Sequence, residues 1–428
     1  AMNSLYLFLF FLLFAFLGAP ISYSMGMACL IVFFISGETL ISLPQMIAMG
    51  VNSYPLMAVP FFVLAGNLMN YAGLTARIFK FCQYLIGNLS GGLAQVNVLA
   101  SMIFAGISGA AVADCAGLGT IQIKAMTDAG YRKTFSAAVT VASSTIGPII
   151  PPSLVLVIYA IESGTSVARL FLAGIIPGVL MGLLLMIYIY YLAKTGKEIC
   201  PITPRPSIKI LIKAFLDSAL AILSPIIILW TLVSGVATPT EAGVIASVYS
   251  LAVGMIYGDF HLKDLPLIFG ESLKLTALIM YIIAMATVMT HILTIEQTPQ
   301  LISDQILKLT TNKYLLLLLI NVFLLFLGSI IEGVPALIIM TPILLPIVQA
   351  VGIDPVQFGI IICFNLVLGN ITPPMAIGIV ILAGITHCSF EELVRTSFRF
   401  LLPLIAALIA ISFIPLLSLY LPTIIMGP

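Results

Sequence analysis

The stretch Ala142-Ser143-Ser144-Thr145-Ile146-Gly147-Pro148-Ile149-Ile150-Pro151-Pro152-Ser153 lies inside a long apolar run and interrupts it. A second stretch, Cys363-Phe364-Asn365-Leu366-Val367-Leu368-Gly369-Asn370-Ile371-Thr372-Pro373-Pro374, interrupts another, its Pro pair lying 222 residues further along. Proline lacks a backbone N–H and clashes with the carbonyl four residues back, so adjacent prolines leave carbonyls free to face a cation. Beyond each pair a half-helix starting at Pro152 or Pro374 presents unpaired N–H groups and a positive dipole end. Carbonyls and hydroxyls suit a sodium ion, and the half-helix start suits a carboxylate. Pro151, Pro152, Pro373 and Pro374 are therefore candidate substrate-binding positions.

The solvent around these breaks is set by composition. Of 428 residues, 61% are apolar and 8% charged, against roughly a quarter charged in a soluble domain. Only hydrocarbon accepts so much apolar side chain. A net charge of +1 gives no imbalance that would favour nucleic acid. The chain opens into an apolar stretch from Leu5 without a basic n-region, which reads as a mature span, with Ala1 before Met2 as a cloning scar. The six cysteines show no C-x-x-C spacing and read as apolar filler. Three histidines far apart in sequence, of which His291 alone falls in a span, form no ligand set.

Apolar runs bounded by Gly, Pro and charge predict spans at 5–17, 21–34, 55–71, 135–161, 170–192, 215–234, 240–258, 275–293, 356–383 and 400–421, with an interfacial helix over 74–88. Two further apolar pairs, 93–104 with 112–126 and 314–327 with 334–351, are interrupted at Gly106–Ala111 and Gly328–Gly333. Arms of about 12 to 18 apolar residues are marginal for crossing, so both pairs read as re-entrant hairpins.

At an offset of 222 residues Pro44 falls on Pro266, Gly106 on Gly328, Gly130 on Gly352, Gly147 on Gly369, and Pro151-Pro152 on Pro373-Pro374. These residues dictate breaks and turns. The predicted organisation is a first repeat over 1–193, a cytoplasmic linker over 194–213 and a second repeat over 214–428. The linker carries five Lys or Arg and is the best cytoplasmic candidate. Counting outward from it puts all basic residues inside except Arg169, Lys308 and Lys313, with both termini outside. Five crossings per repeat then invert the second copy. The fold predicted is an all-α polytopic membrane protein of inverted-topology repeats, with about ten transmembrane helices and two re-entrant hairpins. Paired breaks at equivalent positions of inverted repeats are the pattern of a transporter site.

The segment Gly106–Gly117, with Ser108, Gly109 and Ala113-Asp114, followed by Gly147–Ser153, resembles the large membrane subunit of the tripartite ATP-independent periplasmic (TRAP) transporters. Thr372-Pro373-Pro374 is similar to that family's second signature, and the likeness covers essentially the whole chain. The resemblance implies an elevator-type, sodium-driven importer of organic acids in a bacterial inner membrane, with no cofactor besides the coupling ion. It also implies a small four-helix membrane subunit and a periplasmic substrate-binding protein as partners. Position by position, it pairs Gly106, Ser108 and Gly109 with Ser144, Thr145 and Gly147 at one sodium site. It pairs Gly328, Glu332 and Gly333 with Asn365, Gly369 and Thr372 at the other, and puts Ser153 near substrate. Family members often carry Ser after the hairpin Gly where this chain has Ala110, so backbone carbonyls would serve there. Among familiar substrates, sialic acid is favoured slightly over C4-dicarboxylates.

Asp114 and Glu332 are the acids within the hairpins. A carboxylate there is costly in hydrocarbon, so it serves either cation coupling or as an acceptor of N–H bonds at the tip. They do not align at the 222 offset, which argues against identical roles. No nucleophile–base motif or clustered ligand set supports an enzyme. The alternatives are a stand-alone ion-coupled dicarboxylate carrier, a sodium/proton antiporter or, further off, a channel.

Overall fold

The computed structural model describes residues 2–37, 39–108, 111–258, 260–310 and 312–427, and among them all regular structure is helical. Helices α1 (Met2–Phe16) and α2 (Ile21–Ser36) pack together across a turn in which Gly18 takes φ +87°. Next come α3 (Ser42–Val51), α4 (Ala58–Tyr71) and α5 (Leu74–Ile86). The first hairpin is α6 (Gly92–Ser108) with α7 (Ala111–Ala116) and α8 (Leu118–Asp128). A broken helix follows, α9 (Lys133–Ser144) and α10 (Leu154–Ser163), and then the long α11 (Val167–Lys194).

The second half begins with α12 (Ile208–Val233), α13 (Pro239–Tyr257), α14 (Leu265–Ile295) and α15 (Thr298–Leu309). Its hairpin is α16 (Lys313–Ile330) with α17 (Gly333–Ala350), and its broken helix is α18 (Pro355–Leu368) with α19 (Ile377–Thr386). The chain ends on α20 (Phe390–Phe413) and α21 (Leu416–Met426). From the hairpins onward, corresponding elements of the two halves (α6/α16, α7/α17, α9/α18, α10/α19, α11/α20) start 221 to 223 residues apart. The Pro151-Pro152 and Pro373-Pro374 bonds are both cis.

Among the described residues seven helices are long and apolar enough to cross a membrane, and the bent α3–α4 pair makes an eighth. The remaining apolar helices are shorter, and three of them, α10, α18 and α19, are halves of the two broken spans. Exposed Leu183, Ile187, Ile226, Trp230, Val322 and Phe326 on the long helices α11, α12 and α16 give the outer surface the apolar face that lipid requires. The protein is a multi-pass membrane protein.

Several expectations shift. The α3–α4 pair bends by 58° where the equivalent α14 is continuous over 31 residues. Pro55 and the extended Ser53 interrupt the first copy, whereas Ala277 stands opposite Pro55 at the 222 offset. The half-helices start at Leu154 and Ile377 rather than at Pro152 and Pro374, because Ser153 and Ala376 are the capping residues. The span expected over 400–421 breaks at Ile414-Pro415, separating α20 from α21. Helix α12 begins at Ile208, which shortens the non-helical connection to 195–207. That connection is tied down. The Tyr131 hydroxyl donates to the Pro201 carbonyl at 2.7 Å, Thr203 N–H donates to Gly87 at 3.0 Å, and Arg132 pairs with Glu198 at 2.6 Å.

Packing divides the helices into two groups. One is built from α2, α3, α4, α5, α12, α13 and α14, with α13 laid along α4, α12 along α5, and α14 against α2, α3 and α4. The other interlocks the halves. Helix α10 packs on α17 and α18 of the second half, and α19 packs on α7 and α9 of the first. At one crossing the Tyr159 ring lies over Gly359 while its hydroxyl donates to the Pro355 carbonyl at 2.7 Å. At the other, Val141 fills the space beside Gly378. Helix α11 serves this group through a stripe of small residues. Gly174 receives the Ile149 carbonyl, Gly178 the Ile150 side chain and Gly182 the Met102 sulfur.

A methyl group on Gly174 has no room beside the Ile149 carbonyl, which is backbone and cannot swing away. Gly174→Ala is therefore expected to destabilise the protein by about 1–3 kcal/mol. Gly384→Ala, facing open space, is expected to leave the melting temperature in detergent unchanged or slightly raised. Equal melting temperatures for the two variants would remove the close approach of α11 to the break.

Candidate functional site

In each half the hairpin meets the neighbouring helix break, through Asp114 at Gly147 in the first and through Gly328 at Gly369 in the second. A short connection joins α8 to α9 and α17 to α18, so tip-to-base travel along one helix is followed by base-to-break travel along the next. The α17 and α18 rods are about 27 and 21 Å long at 1.5 Å per residue. Gly328 and Gly333, flanking the second tip, both approach Leu366 at the end of α18. The tip thus ends at the break and does not run past it.

In the first half the meeting point is Asp114, which is 2% exposed in the first turn of α7. Its Oδ2 occupies the space that a β-carbon on Gly147 would fill. The Ser144 carbonyl lies 3.3 Å from the same point. A carboxylate and a carbonyl oxygen therefore converge beside Gly147 in a fully buried setting, which is the donor chemistry of a hard cation. Cys115, next in α7, donates to the Ser144 hydroxyl at 3.1 Å. Ser144 and Thr145 hydroxyls donate back to the Val141 and Ala142 carbonyls at 2.9 and 2.6 Å, so their oxygens keep lone pairs for a further partner.

Behind this point runs a buried polar network that holds hairpin to helix. Asn97 Nδ2 donates to Thr140 Oγ1 at 2.8 Å, and Ser143 Oγ donates to Asn97 Oδ1 at 2.7 Å. Ser101 Oγ donates to Ser143 at 3.0 Å, and Gln122 Nε2 reaches the Asn97 carbonyl at 3.1 Å. These residues were not singled out from sequence. Their signal is Asn97 and Ser101 four residues apart on an apolar arm, facing Thr140 and Ser143 three apart on α9.

The second half is built differently. The Gly328 carbonyl presses on Gly369, and a methyl on Gly328 would come within 3.1 Å of the Leu366 carbonyl and 3.5 Å of that of Asn365. Backbone meets backbone there because both partners lack side chains. Asn365 Nδ2 donates to Asn321 Oδ1 at 2.7 Å, and Asn321 donates to Ser412 Oγ of α20 at 2.9 Å. The buried Asn365 Oδ1 has no hydrogen-bond partner among the described residues. Met375 N–H donates to the Ser329 carbonyl at 3.0 Å, which closes the tip against the break.

Of the residues expected together, the structure joins Ser144, Thr145 and Gly147 on one side and Gly328, Gly333, Asn365 and Gly369 on the other. Gly109 lies outside the described residues; Gly106 and Ser108 form the last turn of α6, and nothing is described of their side chains. Glu332 stands exposed at the start of α17 with no capping hydrogen bond. The Thr372 hydroxyl, in the break, donates back to the Leu368 carbonyl at the end of α18, 2.9 Å away.

The two half-helix starts also differ. Pro151, Pro152 and Ser153 are buried, and Ser153 caps α10 by accepting from Leu156 N–H at 3.2 Å while its hydroxyl donates to the Pro148 carbonyl. Pro373 is half-buried and Pro374 exposed, and α19 is entered through Ala376 at φ +41° without a side-chain cap. The symmetry of the prolines does not extend to their surroundings.

Asn365→Ala removes one partner of a buried pair and strands the Asn321 acceptor. It is expected to cost about 1–3 kcal/mol, whereas Thr372→Ala, which loses one local bond at a half-buried position, is expected to cost less than about 1 kcal/mol. Thermal unfolding of the two variants side by side checks the order; the reverse order would contradict the network.

Known proteins resemble this chain over nearly its whole length. The family model described as "Tripartite ATP-independent periplasmic transporter, DctM component" matches residues 8–417. The sialic acid TRAP transporter large permease protein SiaM of Vibrio cholerae is 40% identical over 414 residues, covering 96% of each chain. The C4-dicarboxylate TRAP transporter large permease protein DctM of Pseudomonas aeruginosa is 39% identical over 370 residues, 86% of each chain. Among solved structures, the YdaH transporter of Alcanivorax borkumensis shares the fold with a TM-score of 0.62 at 14% identity, covering 87% of this chain and 88% of its own. With its helix breaks, its hairpins and these relatives in view, the chain belongs to the DctM component family of tripartite ATP-independent periplasmic transporters, a permease and not an enzyme.

Proposed function

We propose that this protein is the substrate-translocating subunit of a sodium-coupled importer of organic acids. The observation that carries the reading is the buried Asp114 carboxylate set against Gly147 with the Ser144 carbonyl alongside. A carboxylate and a carbonyl oxygen converging beside the Ser144 and Thr145 hydroxyls offer the oxygen ligands that a sodium ion takes. The first sodium site is drawn from Asp114, Ser144, Thr145 and Gly147, with Gly106, Ser108 and Gly109 on the hairpin side. The second is drawn from the carbonyls around Gly328, Gly333, Asn365 and Gly369, with Thr372 nearby, and the unpartnered Asn365 oxygen supports it. Unwound carbonyls for the ion beside a half-helix start for an anion are a recurring transporter arrangement. Pro151, Pro152 and Ser153 in one half and Pro373 and Pro374 in the other flank the substrate space.

Transport proceeds in this reading by an elevator movement. The interlocked hairpins and broken helices travel as one body against the scaffold of α2–α5 and α12–α14. The cross-half contacts at Tyr159–Gly359 and Val141–Gly378 support a single rigid unit. Helix α5, at the edge of the scaffold, and α15 lead into the hairpins of the two halves and act as the arms. The repeats are inverted, residues 195–207 lie on the cytoplasmic side of a bacterial inner membrane, and both termini lie outside. A small membrane subunit covers the scaffold, and a periplasmic binding protein delivers the acid. The tripartite family supports both partners. Sialic acid is the first substrate to test, since the 40% relative is named for it, and a C4-dicarboxylate the second.

The test is uptake into proteoliposomes with and without a sodium gradient, small subunit and binding protein. Uptake should require all three, and Asp114→Asn should raise the sodium needed for half-maximal uptake at least about tenfold, the equivalent of about 1.4 kcal/mol. A wild-type sodium curve in Asp114→Asn would sink the ion site. Uptake by this chain alone would replace the tripartite reading with a stand-alone carrier.

A further inference from the structure

A second polar site lies away from the breaks, where α5 faces the beginning of α12. An open groove of about 670 Å³ is lined there by Arg77, Lys80 and Tyr84 from α5 and by Lys213 and Asp217 from α12. On α5 these residues fall at i, i+3 and i+7, and on α12 at i and i+4, so each helix turns one polar face to the other. Lys80 and Lys213 face each other across the groove, with Asp217 one turn along α12 from Lys213. Lys80, Lys213 and Asp217 form no ion pair among the described residues. The Arg77 guanidinium is held over the Tyr257 ring of α13, 4.2 Å from its centroid, which fixes that charge at the groove's inner end.

The surroundings are apolar in a way that a site for a soluble anion would not need. Leu85, Ile210 and Phe215 at the rim are 43%, 46% and 47% exposed, and Phe81 and Phe215 pair their rings at 5.6 Å beside it. Helix α5 also carries charge on one side and buried Leu74, Ile78, Phe79 and Cys82 on the other, the pattern of a helix at the membrane surface. Cationic side chains at headgroup level with exposed hydrocarbon directly beside them match a molecule that is anionic at one end and apolar at the other. Basic pockets between membrane helices bind such headgroups by charge and by hydrogen bonds to phosphate oxygens.

We propose that this groove is a binding site for the phosphate of an anionic phospholipid, seated between α5 and α12. Lys80 and Lys213 grip the phosphate from opposite helices, Tyr84 supplies a hydroxyl donor, and Arg77 supplies fixed positive charge behind them. Asp217 opposes the anion and weakens the site. The bound headgroup bridges the two helices, and their separation is set in part by it.

The experiment uses the full chain in nanodiscs and in detergent, with phosphatidylglycerol, phosphatidylcholine, inorganic phosphate and glycerol 3-phosphate as probes. Phosphatidylglycerol should stay bound in native mass spectra and raise the melting temperature above that in phosphatidylcholine, while the two soluble phosphates should do neither at millimolar concentration. The double variant Lys80→Glu, Lys213→Glu changes two exposed residues and should lose at least about tenfold in apparent phosphatidylglycerol affinity. Asp217→Asn should move the affinity the other way, a gain that a merely misfolded protein would not give. Equal retention of the two lipids by the wild type, or an unchanged preference in both variants, would overturn the proposal. Protection by inorganic phosphate as strong as by the lipid would also overturn it, making the groove a site for a free anion.

Discussion

Everything else in this structure depends on how backbone groups freed by a broken helix are kept out of hydrocarbon. A chain that stops being helical in the membrane interior exposes N–H and C=O groups that lipid cannot satisfy. Here each break is met by the neighbouring hairpin, closely enough that the glycine at the contact has no room for a side chain of its own. Gly147 has no β-carbon because the Asp114 carboxylate is there, and Gly369 has none because the Gly328 carbonyl is there. Glycine at these positions is a packing requirement rather than a loss of helix propensity left uncorrected.

The cross-half packing follows from the same constraint. A half-helix of ten residues cannot bury itself, so α10 leans on α17 and α18 and α19 leans on α7 and α9. The two halves of the chain therefore share one core around the breaks, while α2–α5 and α12–α14 form a group of their own. A body whose parts are locked across the pseudo-symmetric halves can move against that second group without opening its breaks to lipid. This is the physical attraction of the elevator proposal.

The two sites differ in kind, and the difference is chemical. The first has a carboxylate, hydroxyls and a buried Ser153 cap; the second has carbonyls, Asn365 and an exposed Pro374. At the 222 offset Ser144 and Thr145 stand opposite Leu366 and Val367, so hydroxyls present in one half have no counterpart in the other. A carboxylate brings its own charge to a cation and carbonyls do not, so the two sites would hold an ion with unequal strength. Pseudo-symmetry kept the backbone path and let the donor set diverge.

The sequence by itself determined the solvent, the helical class, the two hairpins, the two broken helices and the family. All of these rest on hydropathy, on proline and glycine, and on their recurrence at one spacing, and each is a local property of the chain. It also marked Ser144, Thr145, Gly147, Asn365 and Gly369 as lying at breaks. Only the tertiary structure decided which groups meet them. Asp114 and Glu332 look alike in sequence, each an acid in a hairpin, yet one is buried against Gly147 and the other turns outward. The Asn97–Ser143 and Asn321–Asn365 bonds span more than forty residues, and the Tyr159–Pro355 bond nearly two hundred. Such pairings depend on where separate helices cross, and a crossing is fixed by side-chain shape at both surfaces at once, which no single stretch of chain encodes.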